Sequence, residues 1–293
     1  MLLSILVVSR SHKLLNQLLF SIADATQLDI GNIEILCSWN GKKSNETKII
    51  NRSGYNFSIA QRKEYHFAKN VNSLASLAAG EILLIINDDI ILDKNTIDSG
   101  ISTLISKSKI GLVTGKLRYK NGLIQHVGIS FDKNHVPYHK FERMIKSNSD
   151  LISDNNQIVS AASGAILFIK KKIFTEIGFS EEYEICGEDV ELSLDLREKK
   201  DMNILFCPNV SGIHFSSMTR KKNNEYGNSE NDLERMKVKR ENFIRNASKS
   251  QILDDLNDLN SQVDVLNKKE LKRKIFKNLI KRLLKKFKEK FRF

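Results

Sequence analysis

Apolar positions in the first half of the chain alternate between two periodicities. Leu3 to Val8 is a continuous apolar run of strand length, Leu14, Leu15, Leu18, Leu19 and Ile22 follow at helical intervals, and Ile33 to Cys37 returns to a strand-like run. This β-α-β rhythm predicts a parallel sheet covered by helices. A second unit repeats it: Ala68, Val71, Leu74, Ala75 and Ala78 share a helical face, Gly80 stops the helix, and Ile82 to Ile86 forms a buried strand ending in Asn87-Asp88-Asp89. Ile97, Ile101, Leu104 and Ile105 mark a further helix. After Gly115 the pattern loosens, with residues 122–131 hairpin-like and 146–157 polar and loop-like. The expected class is α/β, with a Rossmann-like first half.

Near the other end, Ile252, Leu256, Leu259, Val263 and Leu266 keep a heptad-like spacing, which predicts a short coiled coil or a helix packed on the body. Leu271, Ile275, Leu279, Leu283 and Phe287, with Phe276, Ile280, Leu284 and Phe291 beside them, form a wide apolar stripe between lysines. No stretch approaches the roughly eighteen continuous apolar residues of a spanning helix. Residues 268–293 therefore read as a helix lying on an anionic membrane surface, with docking to a partner protein as the alternative. The expected division is an α/β domain over 1–248 and a helical tail over 249–293, with homo-oligomer formation a possibility.

Composition sharpens this division. The 293 residues are 41% hydrophobic and 28% charged, enough for an ordinary core. Residues 268–293 hold thirteen Lys or Arg against Glu270 and Glu289, so the tail carries +11 of the formal +12. A body so nearly neutral argues against nucleic acid as a partner. Cys37, Cys186 and Cys207 form no CxxC pair, which disfavours a disulfide framework or a cysteine zinc site and suits a reduced, cytoplasmic protein. The apolar start at Met1 lacks a basic leader and reads as the first buried strand, not as a signal sequence.

Candidate chemistry begins where the buried strand Ile82 to Ile86 ends. Adjacent carboxylates at Asp88 and Asp89 can hold Mg²⁺ or Mn²⁺ through hard oxygen ligands and leave positions open for a diphosphate, or can simply cap the next turn. Farther along, Glu188 and Asp189 open a segment that suits a helix start, where acids favour the first turn. Val190, Leu192, Leu194 and Leu196 alternate with period two, against a composition that favours helix. His214, between Gly212 and Arg220, taken by itself suits a structural or surface role better than that of a ligand.

The order of these motifs resembles the family 2 glycosyltransferases, inverting enzymes of the GT-A nucleotide-sugar fold, including rhamnosyltransferase-like members of bacterial surface-polysaccharide synthesis. The likeness spans residues 2–245. Ser4 to Arg10 resembles the family's opening strand, Phe67-Ala68-Lys69-Asn70-Val71-Asn72 the helix before its metal motif, and Asn87-Asp88-Asp89 the DxD-type motif itself. Ile124-Gln125-His126-Val127-Gly128 resembles a mid-domain hairpin, and Ser163 to Lys170 the strand leading to the acceptor side. Glu188-Asp189 with Leu192 and Leu196-Arg197 matches the family's ED motif, and His214 its late histidine.

The resemblance implies a GT-A domain in which Asp89 ligates a divalent metal, Mg²⁺ or Mn²⁺, with His214 as a further ligand. Asp88 would contact the nucleotide ribose or the metal, with Ser9 and Asn40 near the nucleotide. Asp189 would be the base, with Glu188 its competitor. The donor would be a nucleotide sugar and the acceptor a glycan or lipid-linked hydroxyl, on the inner face of the cell membrane. One departure stands out: Cys37-Ser38-Trp39-Asn40-Gly41 brings no Asp where the family ends its second strand with one. Trp39 can stack on a base or pack, and His126 can touch substrate or serve structure. Two other classes stay open. A nucleotidyltransferase would want a Gly-rich phosphate loop, which Ser9-Arg10-Ser11-His12-Lys13 lacks. A catalytically inactive, membrane-held nucleotide-sugar-binding protein would keep the motifs without turnover.

Overall fold

The computed structural model describes residues 1–215 and 229–290, by backbone alone at 229, 275, 276 and 278–290. Arg220 and Phe291 lie outside the described residues. The first half forms β1 (Leu3–Ser9), α1 (His12–Ala25), β2 (Ile33–Trp39), β3 (Asn56–Ile59), α2 (Phe67–Leu77) and β4 (Ile82–Asn87). These strands are parallel in the order β4-β1-β2-β3. Strand β1 is apolar on both faces because each face is covered. Leu3, Ile5 and Val7 join a core with Leu15, Leu18 and Leu19 of α1, whereas Leu6 and Val8 join another with Ala68, Val71 and Leu74 of α2. Gly80 is required by close approach, since a Cβ there would lie 2.5 Å from the backbone nitrogen of Ser4.

The second half supplies β5 (Ile90–Leu92), α3 (Thr96–Ile105), β6 (Ile110–Arg118), β7 (Ile124–His126), β8 (Ile129–Phe131), β9 (Pro137–His139), β10 (Gln157–Val159), β11 (Ile166–Lys170), α4 (Lys171–Ile177), α5 (Glu188–Lys200) and β12 (Asn203–His214). Strand β11 runs antiparallel between β4 and β6, and β12 runs parallel to β6, giving one mixed ten-stranded sheet. The expected α/β, Rossmann-like architecture is therefore present, with the regular parallel part confined to the first half.

Two local expectations change. Residues 122–131 are not one hairpin: β7 folds back antiparallel on β6, while β8 pairs with β9 in a separate two-stranded sheet. Gly122 (φ 79°) makes the β6–β7 turn and Gly128 (φ 108°) redirects the chain before β8. Residues 188–200 are helical despite the period-two pattern, because α5 is buried nearly all round: Ser193, Asp195 and Arg197 are covered as fully as the leucines between them.

A helix over Ser229–Asn246 is followed by a long helix over Lys249–Lys290. The long helix packs on the body through a polar face. Asp255 receives Arg197 at 2.8 Å, Arg240 at 2.6 Å and the Ser160 hydroxyl at 2.8 Å, while Asp258 pairs with buried Lys140 and Gln262 accepts from the Tyr138 hydroxyl at 3.0 Å. Leu256, Leu259, Val263 and Leu266 of the heptad-like pattern lie exposed on its outer side. No described helix is long and apolar enough to cross a membrane.

Candidate active site

The parallel register aligns the ends of β1, β2 and β4, with Ser9 opposite Trp39 and Val8 opposite Asn87. This is the edge at which open α/β sheets bind ligands. Asp88, the next residue, is buried there and accepts a 2.6 Å hydrogen bond from the Ser9 hydroxyl. Burial pushes its carboxyl up to about 7, with the neighbouring Asp89 adding to the rise and the Ser9 bond opposing it.

Asp89 meets a different partner. Strand β5, which begins just after it, pairs antiparallel with the end of β12, setting His214 opposite Ile90. His214 Nε2 consequently lies 2.9 Å from Asp89 Oδ1. The contact is close without hydrogen-bond alignment, and Nε2 is a buried nitrogen with no hydrogen-bond partner. Two adjacent ligands of an octahedral ion at about 2.1 Å stand roughly 3 Å apart, so this pair has the spacing of a shared cation site. No group of three or more His, Cys, Asp or Glu among the described residues is arranged to hold a metal ion. The remaining positions would thus fall to diphosphate and water oxygens, as is usual for Mg²⁺-type sites.

Opposite this edge, α5 presents Asp189 in its first turn. Gly187 (φ 123°) lets the chain turn sharply into the helix. Asp189 Oδ2 accepts from the Gly164 amide at 2.6 Å and Oδ1 from the Val190 amide at 2.8 Å. Enclosure by protein raises its pKa, against those two bonds and the nearby His139. Glu188, buried, lines the same cavity.

One cavity of about 290 Å³ joins these groups: Asp88, Asp89, His214, Glu188 and Asp189 all line it. Asn40 does not; its amide donates to the Lys63 carbonyl at 2.6 Å and ties the end of β2 to the following segment. Ser9 acts on the cavity through Asp88. Trp39 is buried and packed beneath Gly41, where a Cβ would lie 2.4 Å from the indole ring. Buried His126 belongs to the cavity wall.

Sequence reasoning missed several wall residues. Arg10 lies 3.5 Å from the Tyr65 ring centroid, and both face the cavity. Gln125 and His139 also line it. Gln125 was visible only as a part of the 124–128 motif, and His139 sits in a segment with no periodic signal.

No family model matches the chain. Among solved structures, GalNAc-T7 with UDP, GalNAc and Mn²⁺ superposes with a TM-score of 0.55 at 14% identity, over 73% of this chain and 43% of that one. The mannosyltransferase PcManGT from Pyrobaculum calidifontis, in complex with GDP-Man and Mn²⁺, gives 0.54 at 11% identity, over 90% of this chain and 74% of that one. The fold is GT-A. Among curated proteins, the O-antigen biosynthesis protein RfbC of Myxococcus xanthus is 26% identical over 155 residues, 51% of this chain and 12% of that protein. An uncharacterized protein of Sinorhizobium fredii, y4gI, is 25% identical over 229 residues, 75% of this chain and 25% of that protein. The chain thus spans a small part of each of these two relatives. Within the GT-A frame, the carboxylate pair follows β4 at the sheet edge and Asp189 opens the helix across the cavity.

Proposed function

We propose that this chain is a metal-dependent, inverting glycosyltransferase of the family 2 kind, which moves a sugar from a nucleotide-diphosphate donor to a hydroxyl of a glycan or lipid-linked acceptor in cell-surface polysaccharide synthesis. The observation that carries this reading is that Asp88, Asp89, His214 and Asp189 line one cavity at the ligand-binding edge of a GT-A sheet. The UDP- and GDP-Man-containing GT-A structures and the O-antigen relative support it.

Asp89 Oδ1 and His214 Nε2 would hold Mg²⁺ or Mn²⁺, which when bound neutralises the charge gathering on a departing diphosphate. A mixed carboxylate and imidazole pair suits Mn²⁺ better than Mg²⁺. Asp88, held by Ser9 and turned toward the end of β1, suits the ribose. Asp189 accepts the proton of the acceptor hydroxyl as that oxygen bonds to the anomeric carbon. The bond from that carbon to the diphosphate breaks on the opposite face and the diphosphate leaves with the electron pair. The Gly164 and Val190 amides fix the Asp189 carboxylate for this step.

The basic stripe of 268–293 holds the enzyme on an anionic membrane surface, on the cytoplasmic side, where lipid-linked acceptors are presented. The direct test is turnover of nucleotide sugars by wild type and Asp189→Asn. The variant is expected to lose about 10²- to 10⁴-fold in turnover while nucleotide affinity persists; equal loss of both would refute the assignment of the base.

A further inference from the structure

Two hydrogen-bond acceptors on residues of the cavity wall have no donor among the described residues. The first arises from a chain of buried groups. Thr114 Oγ1 is 3.0 Å from the Ile166 carbonyl and 3.2 Å from His126 Nε2. A hydroxyl has one proton and a carbonyl can only accept, so that proton goes to Ile166 and Thr114 accepts from His126 Nε2–H. His126 Nδ1 then carries a lone pair. His139 Nδ1 lies 2.9 Å from it and must supply the proton of that bond. His139 Nε2, on the far edge of the ring, is consequently bare. Burial lowers the pKa of both imidazoles, reinforced at His126 by the neighbouring His139 and Lys140 and opposed at His139 by Glu142 and Asp189.

The second acceptor is Gln125 Oε1. Gln125 is 7% exposed, lines the cavity, and its Oε1 is a buried atom without a hydrogen-bond partner. A buried acceptor without a donor is costly unless a ligand satisfies it. His139 is also braced from behind: Tyr138 and Lys140, its neighbours in sequence, bond Gln262 and Asp258 of the terminal helix. Alternation along the chain turns those two toward the helix and His139 toward the cavity.

We propose that Gln125 Oε1 and His139 Nε2 form a hydroxyl-reading site for the sugar acceptor, taking hydrogen bonds from hydroxyls next to the one that Asp189 deprotonates. This rests on the glycosyl-transfer reading and adds its acceptor side. Sites built to accept from a hydroxyl discriminate strongly against analogues lacking it.

The test uses the full-length protein with ¹⁵N-labelled histidine. Long-range ¹H–¹⁵N spectra are expected to show His126 protonated on Nε2 and His139 on Nδ1. On titration with methyl glucoside, galactoside, mannoside and rhamnoside, the bare His139 Nε2 signal should move toward the hydrogen-bonded position for at least one of them. A proton on His139 Nε2, or a signal unmoved by all four, overturns the inference. For turnover on the best of these glycosides, His139→Phe and Gln125→Leu should each raise acceptor KM about tenfold with donor KM changed less than about twofold. His139→Gln, which keeps an acceptor, should recover part of the loss; equal rise of both KM values also overturns it. Predicted tautomers and shifts without turnover of any nucleotide sugar in wild type would refute the glycosyl-transfer reading alone.

Discussion

Replacing Asp255 by Ala removes the anion at the centre of a buried cationic pair. Its two carboxylate oxygens receive Arg197 at 2.8 Å and Arg240 at 2.6 Å, and the side chains of all three are under 10% exposed. Arg197 keeps neutral partners in the carbonyls of Ser160 and Gln251, and its guanidinium stacks 4.6 Å from the Phe243 centroid. Among the described residues, Arg240 keeps only its stacking on Phe131, 4.4 Å away, and on Phe243. Burial already lowers the Arg240 pKa, with Asp255 the principal group opposing that. Leaving one charge of a buried pair uncompensated costs about 3–5 kcal/mol. At roughly 2 °C per kcal/mol for a chain of this size, the melting temperature should fall by about 6–10 °C. The assay is thermal unfolding by far-ultraviolet circular dichroism, beside a variant with Asp255→Leu, Arg197→Met and Arg240→Met together. Apolar replacement of the whole cluster should recover part of the loss, because it removes the uncompensated charges but also the Arg197 bonds to the Ser160 and Gln251 carbonyls. A fall below about 1 °C for Asp255→Ala would refute the view that this carboxylate anchors the terminal helix to the body.

Asp189 must be ionised to act as a base, and its enclosed carboxyl is raised; the acid limb of kcat/KM should therefore lie above the ordinary carboxylate range, and a limb near pH 4 would contradict the role. Asp88 is raised from 3.8 to about 7, so in chelator-treated protein the native state binds its proton more tightly between those values. Stability should fall as pH rises through that window, and urea midpoints of Asp88→Asn should be flatter across it than those of wild type. Deleting residues 268–293 should abolish sedimentation with anionic liposomes, and unchanged sedimentation would refute the membrane role of the tail.

Strands β1, β2 and β4 were legible because their apolar runs are local and largely buried, whereas β3, four mostly exposed residues at the sheet edge, carries no such run and was not predicted. The carboxylates at 88 and 89 stood out because a buried strand ends in them. Their partners were legible as motif positions, but not as geometry: His214 reaches Asp89 only through the short pairing of β5 with β12. The β6–β7 hairpin was misplaced although Asn121-Gly122 is a strong turn signal, because the hairpin was read as starting at Gly122, which leaves its first strand, β6, out of the pair. His139 was missed because β9 is three residues long and carries no alternation. The heptad-like stripe misdirected the packing of the long helix, since what the body takes up is Asp255, Asp258 and Gln262, a polar face chosen by Lys140, Arg197 and Arg240.

The most direct test of the donor site is calorimetric titration of the full chain with UDP, dTDP and GDP, each with and without Mn²⁺, for wild type and Asp89→Ala. Binding of one nucleotide that requires Mn²⁺ and disappears in the variant is the expected result. No binding of any nucleotide under either condition would contradict the account.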